Sequence, residues 1–236
     1  MRKLWIFGCS HSSPYSDFPN HDGSETAYMK YKKFKGGCYP PTWMELLSKK
    51  LNLEVNYLSR GGLSNYGIFS LLCTNVKNIQ ANDIVIIEWT YLERFRLVSN
   101  NMFHDFIINN NSFDFQSVGG KEIVDNIFFN RTNNKWAEEI YDYENIIDEL
   151  SINKNFDVFY WTVCDRIFQS RLVHKRELKK YLIPESNKNI LNFFIDKYGA
   201  QTISMETNNE IPDDHLGEMG HQVIADKFYE DIISKI

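Results

Sequence analysis

A chain of 236 residues, 43% apolar and 24% charged, suits one large domain before two small ones, with an ordinary packed core. Its net charge is −5 and it carries no long basic block, which removes nucleic acid as a default partner, because phosphate binding needs clustered Lys and Arg. No apolar stretch approaches the ~20 residues of a membrane helix, and the apolar run before Gly8 is only Leu4–Phe7, too short for the apolar region of a signal peptide. The expectation is a soluble, cytoplasmic protein with no membrane partner.

In chain order, Leu4–Phe7 reads as a first strand. From Ser12 to about Pro41 the sequence is polar and aromatic with little periodicity, and reads as a long loop. Thr42 with Glu45 three residues on forms a capping box, opening a helix through Trp43, Leu46, Leu47 and Leu51. Leu53–Leu58 is a second strand. Ser59-Arg60-Gly61-Gly62-Leu63-Ser64-Asn65 is a turn into a helix with Ile68, Leu71, Leu72 and Val76. Within Asp83–Thr90 the run Ile84-Val85-Ile86-Ile87 is how a strand buried on both faces reads. Tyr91 to about Asn155 breaks the rhythm: it is rich in Asn and Phe, with one helix around Trp136–Leu150. Phe156–Thr162 is a strand, Ile190–Tyr198 a helix stopped by Gly199, and Gln201–Ser204 a short strand. Gly217–Ile236 closes the chain as a helix with Val223, Ile224, Phe228, Ile232 and Ile233 on one face.

Strands alternating with helices imply βαβ units and a mostly parallel sheet. Five strands with right-handed crossovers and both faces covered give a three-layer α/β/α sandwich. Residues 1–236 then form a single domain, and 91–155 is an insertion after strand three that caps the site.

Cys9, Cys38, Cys73 and Cys164 are far apart and form no C-x-x-C pair, so neither a zinc site nor an oxidising compartment is implied. Lys30, Lys32, Lys33 and Lys35, with Tyr31 and Phe34 between them, read as a solvated face before they read as an anion site. The spacing of His11, His21, Asp22 and His215 matches no ligand pair on a helix or hairpin.

Open α/β sheets bind ligands at the carboxyl ends of their strands. Gly8-Cys9-Ser10, Gly61-Gly62 and Glu88-Trp89-Thr90 all fall at such ends, and Asp213-Asp214-His215 precedes the last helix at the same edge. A serine hydroxyl is a weak nucleophile until a base takes its proton. His215 is the candidate base, Asp213 or Asp214 the group that fixes its tautomer, and Ser10 the nucleophile. Backbone N–H groups at Ser10 and Gly62 are candidate oxyanion donors, with Asn65 or Thr90 as a third.

These residues resemble the SGNH/GDSL hydrolases, which hydrolyse or transfer acyl esters. Gly8-Cys9-Ser10-His11 is similar to that family's first block, Gly-Asp-Ser-Leu, with Ser10 in the nucleophile's place. Gly61-Gly62-Leu63-Ser64-Asn65 resembles its second, and Gly62 best fits the oxyanion-hole glycine. Asp213-Asp214-His215-Leu216, followed by Gly220-His221, resembles the last. The resemblance implies a flavodoxin-like sheet, no metal and no organic cofactor, and a small-molecule or glycan ester as substrate, with acetyl on a carbohydrate as the implied acyl group. Three departures stand out. Cys9 replaces the usual Asp. Glu88-Trp89-Thr90-Tyr91 stands where the family carries Gly-x-Asn-Asp, so its oxyanion asparagine is missing. Pro212 occupies the usual triad Asp position, which leaves Asp213, one intervening residue from His215, as the better candidate.

The missing asparagine motivates a rival reading, a catalytically inactive relative that binds a glycan or a protein. A nucleotide-binding module is a further rival, but only Gly61-Gly62 resembles a phosphate loop. Plainer roles also compete: His221 as a packing or capping residue, His11 as a local hydrogen-bonding residue, and Glu88 as a buried carboxylate paired with Arg60, Arg94 or Arg96. Cys9 as nucleophile is the weaker alternative to Ser10, since adjacent side chains point apart. Tyr15, Tyr28, Tyr31, Tyr39 and Tyr91 are aromatic candidates for the cleft mouth, where rings suit a sugar.

Overall fold

A computed structural model describes residues 2–15, 25–92, 94–99, 102–107, 133–164, 167, 180–182, 190–199 and 201–236. Its main sheet is parallel, with strands β1 (Lys3–Gly8), β2 (Glu54–Ser59), β3 (Ile84–Trp89) and β6 (Asp157–Thr162) in the order β2-β1-β3-β6. A separate antiparallel hairpin joins β4 (Arg94–Ser99) to β5 (Met102–Ile107).

Strand side chains alternate between faces, and the alternation builds two cores. Trp5, Phe7, Val85, Ile87, Val158 and Tyr160 pack on one face with Ile68 and Leu72 of α3 (Asn65–Asn75) and with Trp136, Ile140 and Ile147 of α4 (Asn133–Lys154). Leu4, Ile6, Ile84, Ile86, Phe159 and Trp161 pack on the other. They meet Trp43, Met44 and Leu47 of α2 (Trp43–Leu51), and Ile224, Phe228 and Ile232 of the last helix, Glu218–Ile233. Helices therefore cover both faces, which is why Ile84–Ile87 is an unbroken apolar run.

Thr42 closes the expected capping box on α2: its hydroxyl accepts from Glu45 N, and the Glu45 carboxylate accepts from Thr42 N at 2.7 Å. Gly199 stops α5 (Ile190–Tyr198) at a φ of +65°.

Three expectations change. Part of the expected 12–41 loop is a helix, α1 (Ala27–Phe34), capped by Thr26, whose hydroxyl accepts from Met29 N at 3.2 Å. Its buried Tyr31 donates to Glu206 Oε2 at 2.5 Å and packs with Ile203 and Ile211, and Lys35 pairs with Glu206 and Glu218, so α1 is held by tertiary contacts. The sheet has four strands rather than five among the described residues. Gln201–Ser204 does not join it. Thr202 caps a single helical turn, α6 (Ile203–Glu206), and pairs antiparallel with Leu216 instead. A parallel bridge from Tyr181 to Tyr160 extends the sheet's hydrogen bonding on the β6 side. Finally, α4 is longer than Trp136–Leu150 at both ends. The last helix is α7 (Glu218–Ile233). No described helix is long and apolar enough to cross a membrane.

His221, on α7, is buried, and its Nδ1 accepts the Trp43 backbone N–H at 3.0 Å, satisfying an orphan donor at the start of α2. Burial, then the neighbouring His215, lowers its pKa from 6.5 to about 3. The folded protein holds this ring neutral while the unfolded chain protonates it, so its contribution is complete above pH 6.5 and is lost as pH falls towards about 3. His221→Ala should cost about 1–3 kcal/mol in urea unfolding at neutral pH. His221→Asn, which keeps an acceptor and removes the titration, should flatten the acid loss of stability.

Candidate active site

Strand order reverses at β1, since β2 lies on one side of it and β3 on the other. Chains leaving β1 and β3 diverge there, and a crevice opens at their carboxyl ends. Ser10 sits on the turn that leaves β1, a single 3₁₀ turn, Ser10–Ser12.

A buried carboxylate fixes that turn. Glu88 on β3 is fully buried and accepts from Cys9 N at 3.0 Å and from the Cys9 thiol at 2.7 Å. Gly8 makes room for it: a Cβ there would lie 2.6 Å from Glu88 Oε2 and 2.8 Å from Ser12 Cβ. Among the described residues no cation lies within ion-pair distance of Glu88, so its partner is Cys9, and the expected arginine acts only through space. Burial raises the Glu88 pKa, against the opposing hydrogen bonds from Cys9 and the charge of Arg94. Burial, then Glu88, pushes the Cys9 thiol up to about 12, so Cys9 is a hydrogen-bond donor here and a poor nucleophile.

The second segment approaches Ser10 from β2. Leu63 N donates to Arg60 O at 3.4 Å, and Gly62, at the third position of this turn, has a φ of +82°, which favours glycine. A Cβ on Gly61 would lie 3.8 Å from that of Ser10, so turn and serine are side by side. Asn65 is committed elsewhere: its Oδ1 accepts from Thr90 N at 2.8 Å, and its Nδ2 donates to Thr90 O at 3.2 Å and Tyr91 O at 3.4 Å. It holds the exit of β3. Thr90 is buried beside the Cys9 thiol, its hydroxyl without a hydrogen-bond partner.

The third segment is held by residues 201–206. Ile203 N donates to His215 O at 2.8 Å, and Asp213 N donates to Ser204 Oγ at 2.6 Å. The Ser204 hydroxyl also reaches the Asp213 carbonyl. Asp213 then folds onto its own neighbour: Oδ1 lies 2.7 Å from His215 Nδ1 and accepts the His215 backbone N–H at 2.8 Å. Asp214 is 3.6 Å from that nitrogen with its side chain 77% exposed, so Asp213 is the orienting carboxylate. Asp213, Asp214 and His215 place ligand atoms within 4.8 Å of one another. The close Asp213–His215 contact accounts for that cluster without a metal. His21 and Asp22 lie outside the described residues.

His215 meets the β1 exit through His11, whose ring stacks on it at 4.5 Å and 24°. Tyr28 adds an edge contact at 5.5 Å. His11 is buried, and burial, then His215, Arg94 and His221, keeps its pKa well below the usual value, so it stays neutral. His215 Nε2 is shut away from solvent with no hydrogen-bond partner, and among the described residues the polar contact of Ser10 Oγ is Cys9 Sγ at 3.9 Å. Ser10 and His215 are thus brought to one crevice without a hydrogen bond between them.

Sequence reasoning missed Ser204, whose hydroxyl shapes the Asp213 loop, and Arg94, which stacks over Tyr91 at 5.4 Å beside the crevice. Ser204 left no local signal. Arg94 was visible only as a possible partner of Glu88.

Gly8→Ala should destabilise the fold by about 1–3 kcal/mol, because the new methyl meets a buried carboxylate that cannot withdraw without losing Cys9. A fall in Tm checks this, and a Tm equal to wild type would show that the Glu88 contact is not tight.

No protein-family model matches the chain, and no curated protein matches it. Solved structures that superpose on it include G-D-S-L family proteins and carbohydrate esterases. A Bacillus subtilis protein aligns over 99% of this chain and 56% of its own length, at 13% identity and a TM-score of 0.49. A structure from Desulfitobacterium hafniense described as lipolytic and of the G-D-S-L family aligns over 98% and 99%, at 9% identity and a TM-score of 0.44. An acetyl xylan esterase from Butyrivibrio proteoclasticus aligns over 99% and 64%, at 12% identity and a TM-score of 0.49. The chain thus spans under two thirds of the first and third of these proteins.

Proposed function

We propose that this chain is an SGNH/GDSL-type serine hydrolase with a flavodoxin-like sheet, acting on a small acyl ester through Ser10, His215 and Asp213. The observation that carries the reading is His215 itself. Its Nδ1 is held by Asp213 at 2.7 Å, while its Nε2 is buried and unpartnered beside the turn that bears Ser10. A base oriented by a carboxylate, with its second nitrogen left free, is what activation of a serine requires.

Ser10 Oγ attacks the acyl carbon as His215 Nε2 takes its proton. The carbonyl electron pair moves onto oxygen, where the Ser10 and Gly62 backbone N–H groups stabilise it. Asp213 holds the imidazole tautomer and stabilises the imidazolium. Because His11 stays neutral, the ring stacked on His215 adds no repulsion when that charge forms. Collapse expels the alcohol, which takes the proton from His215, and water then repeats the cycle on the acyl-enzyme. The apo separation of Ser10 and His215 is compatible with this, since catalytic hydrogen bonds often tighten only once substrate binds.

The acyl group in this reading is acetyl, carried by a carbohydrate, with Tyr28 and Tyr91 as rings at the cleft. The part of 91–155 that precedes α4 acts as a cap within one domain, α4 itself packing on the sheet, and exclusion of water by that cap sets the balance between hydrolysis and transfer. A second reading, an inactive module that binds a glycan or protein, is favoured by one observation: the Asn65 amide is bonded to the backbone of Thr90 and Tyr91 instead of facing the crevice.

Hydrolysis of p-nitrophenyl acetate and of an acetylated sugar separates the two readings. Ser10→Ala should abolish turnover, and Asp213→Asn should lower kcat by about 10⁴, the loss expected when the histidine tautomer is wrong. A folded wild type that binds the sugar without hydrolysing either ester would support the binding module instead.

A further inference from the structure

Among the described residues, the two side chains expected to complete the oxyanion hole are placed otherwise. Asn65 is committed to the β3 exit, and Thr90 sits in the buried layer beside Cys9. Arg94 is a cationic side chain near the crevice without a described acceptor. Arg94 opens β4, three residues beyond Tyr91, and its backbone N–H donates to Tyr91 O at 3.2 Å. This is the same carbonyl that Asn65 holds, so the strand exit and the arginine are tied together. The guanidinium lies 5.4 Å from the Tyr91 ring centroid. Its Nε and Nη1 are sealed from solvent and have no hydrogen-bond partner. Among the described residues no carboxylate lies within ion-pair distance of it, yet its charge reaches Cys9 and His11, the residues on either side of Ser10, and also Glu88 and Tyr91.

Guanidinium N–H groups that are shut from water and idle are costly unless an acceptor arrives during function. The negative charge that develops on the acyl carbonyl oxygen during the reaction is such an acceptor. We propose that Arg94 is the third oxyanion donor of this site, a catalytic residue standing in for the absent asparagine of the third block. This rests on the Ser10 reading above. When Ser10 Oγ bonds to the acyl carbon and its proton passes to His215, the displaced electron pair resides on the carbonyl oxygen, and an Arg94 N–H donates to it. On collapse the C=O bond re-forms, the leaving alcohol takes the proton from His215, and the guanidinium ends as it began.

Steady-state hydrolysis of p-nitrophenyl acetate by wild type, Arg94→Gln and Arg94→Lys tests this. Inhibition by phenylboronic acid, which forms a tetrahedral anion on an active-site serine, is the second readout. Arg94→Gln should lose about 10²–10³ in kcat, as removal of one oxyanion donor does. It should keep KM within about threefold and bind the boronate correspondingly more weakly. Arg94→Lys, which keeps the charge and most of the stem, should recover part of the loss and guards against a variant that fails to fold. A kcat within about threefold of wild type in a folded Arg94→Gln overturns the proposal and leaves Ser10 standing. So does a loss confined to KM. A guanidinium that only reads an anionic group on substrate would leave this uncharged ester unaffected, which also overturns it. Absence of turnover and of boronate binding in wild type overturns the Ser10 reading and Arg94 with it.

Discussion

The site depends on one buried contact, the Glu88 carboxylate beneath the turn that leaves β1. A carboxylate without solvent is costly unless its lone pairs are filled, and here the Cys9 backbone N–H and thiol fill them at 3.0 and 2.7 Å. The contact ties the exits of two neighbouring strands where the chain order reverses, and so fixes where Ser10 stands. Gly8 is the consequence on one side, since a side chain there would occupy the space of Glu88. Cys9 is the consequence on the other: a donor is needed, and a thiol held protonated by burial supplies it.

Around that anchor the crevice combines a neutral layer with separated charges. His11, stacked on His215, and His221 are both buried and both held neutral. Asp213 meets the imidazole at Nδ1, and Arg94 lies over the Tyr91 ring just beyond the exit of β3. A low-dielectric site with fixed charges is where a developing oxyanion and imidazolium gain most from preorganisation.

Much of the architecture was legible because it is local. The apolar runs of β1, β3 and β6, the Thr42–Glu45 box and the Gly199 stop are written in neighbouring residues, as are the three segments that meet at the crevice. The failures are non-local. Helix α1 is held by Tyr31 and Lys35 reaching Glu206, more than 170 positions away. Gln201–Ser204 carries strand-like residues, yet it pairs with the loop at Leu216, because Thr202 caps a helical turn and Asn208 and Asn209 end it with positive φ. The Cys9 partner of Glu88 and the clamp of Ser204 on Asp213 are likewise tertiary, and no spacing rule encodes them.

The most direct test of Ser10 as nucleophile is to treat the folded protein with a fluorophosphonate and map the adduct by tandem mass spectrometry of the peptide that spans Gly8 to His11. The account predicts one adduct, on Ser10, that disappears in Ser10→Ala. An adduct on Cys9, or a folded protein that takes up none, would contradict it.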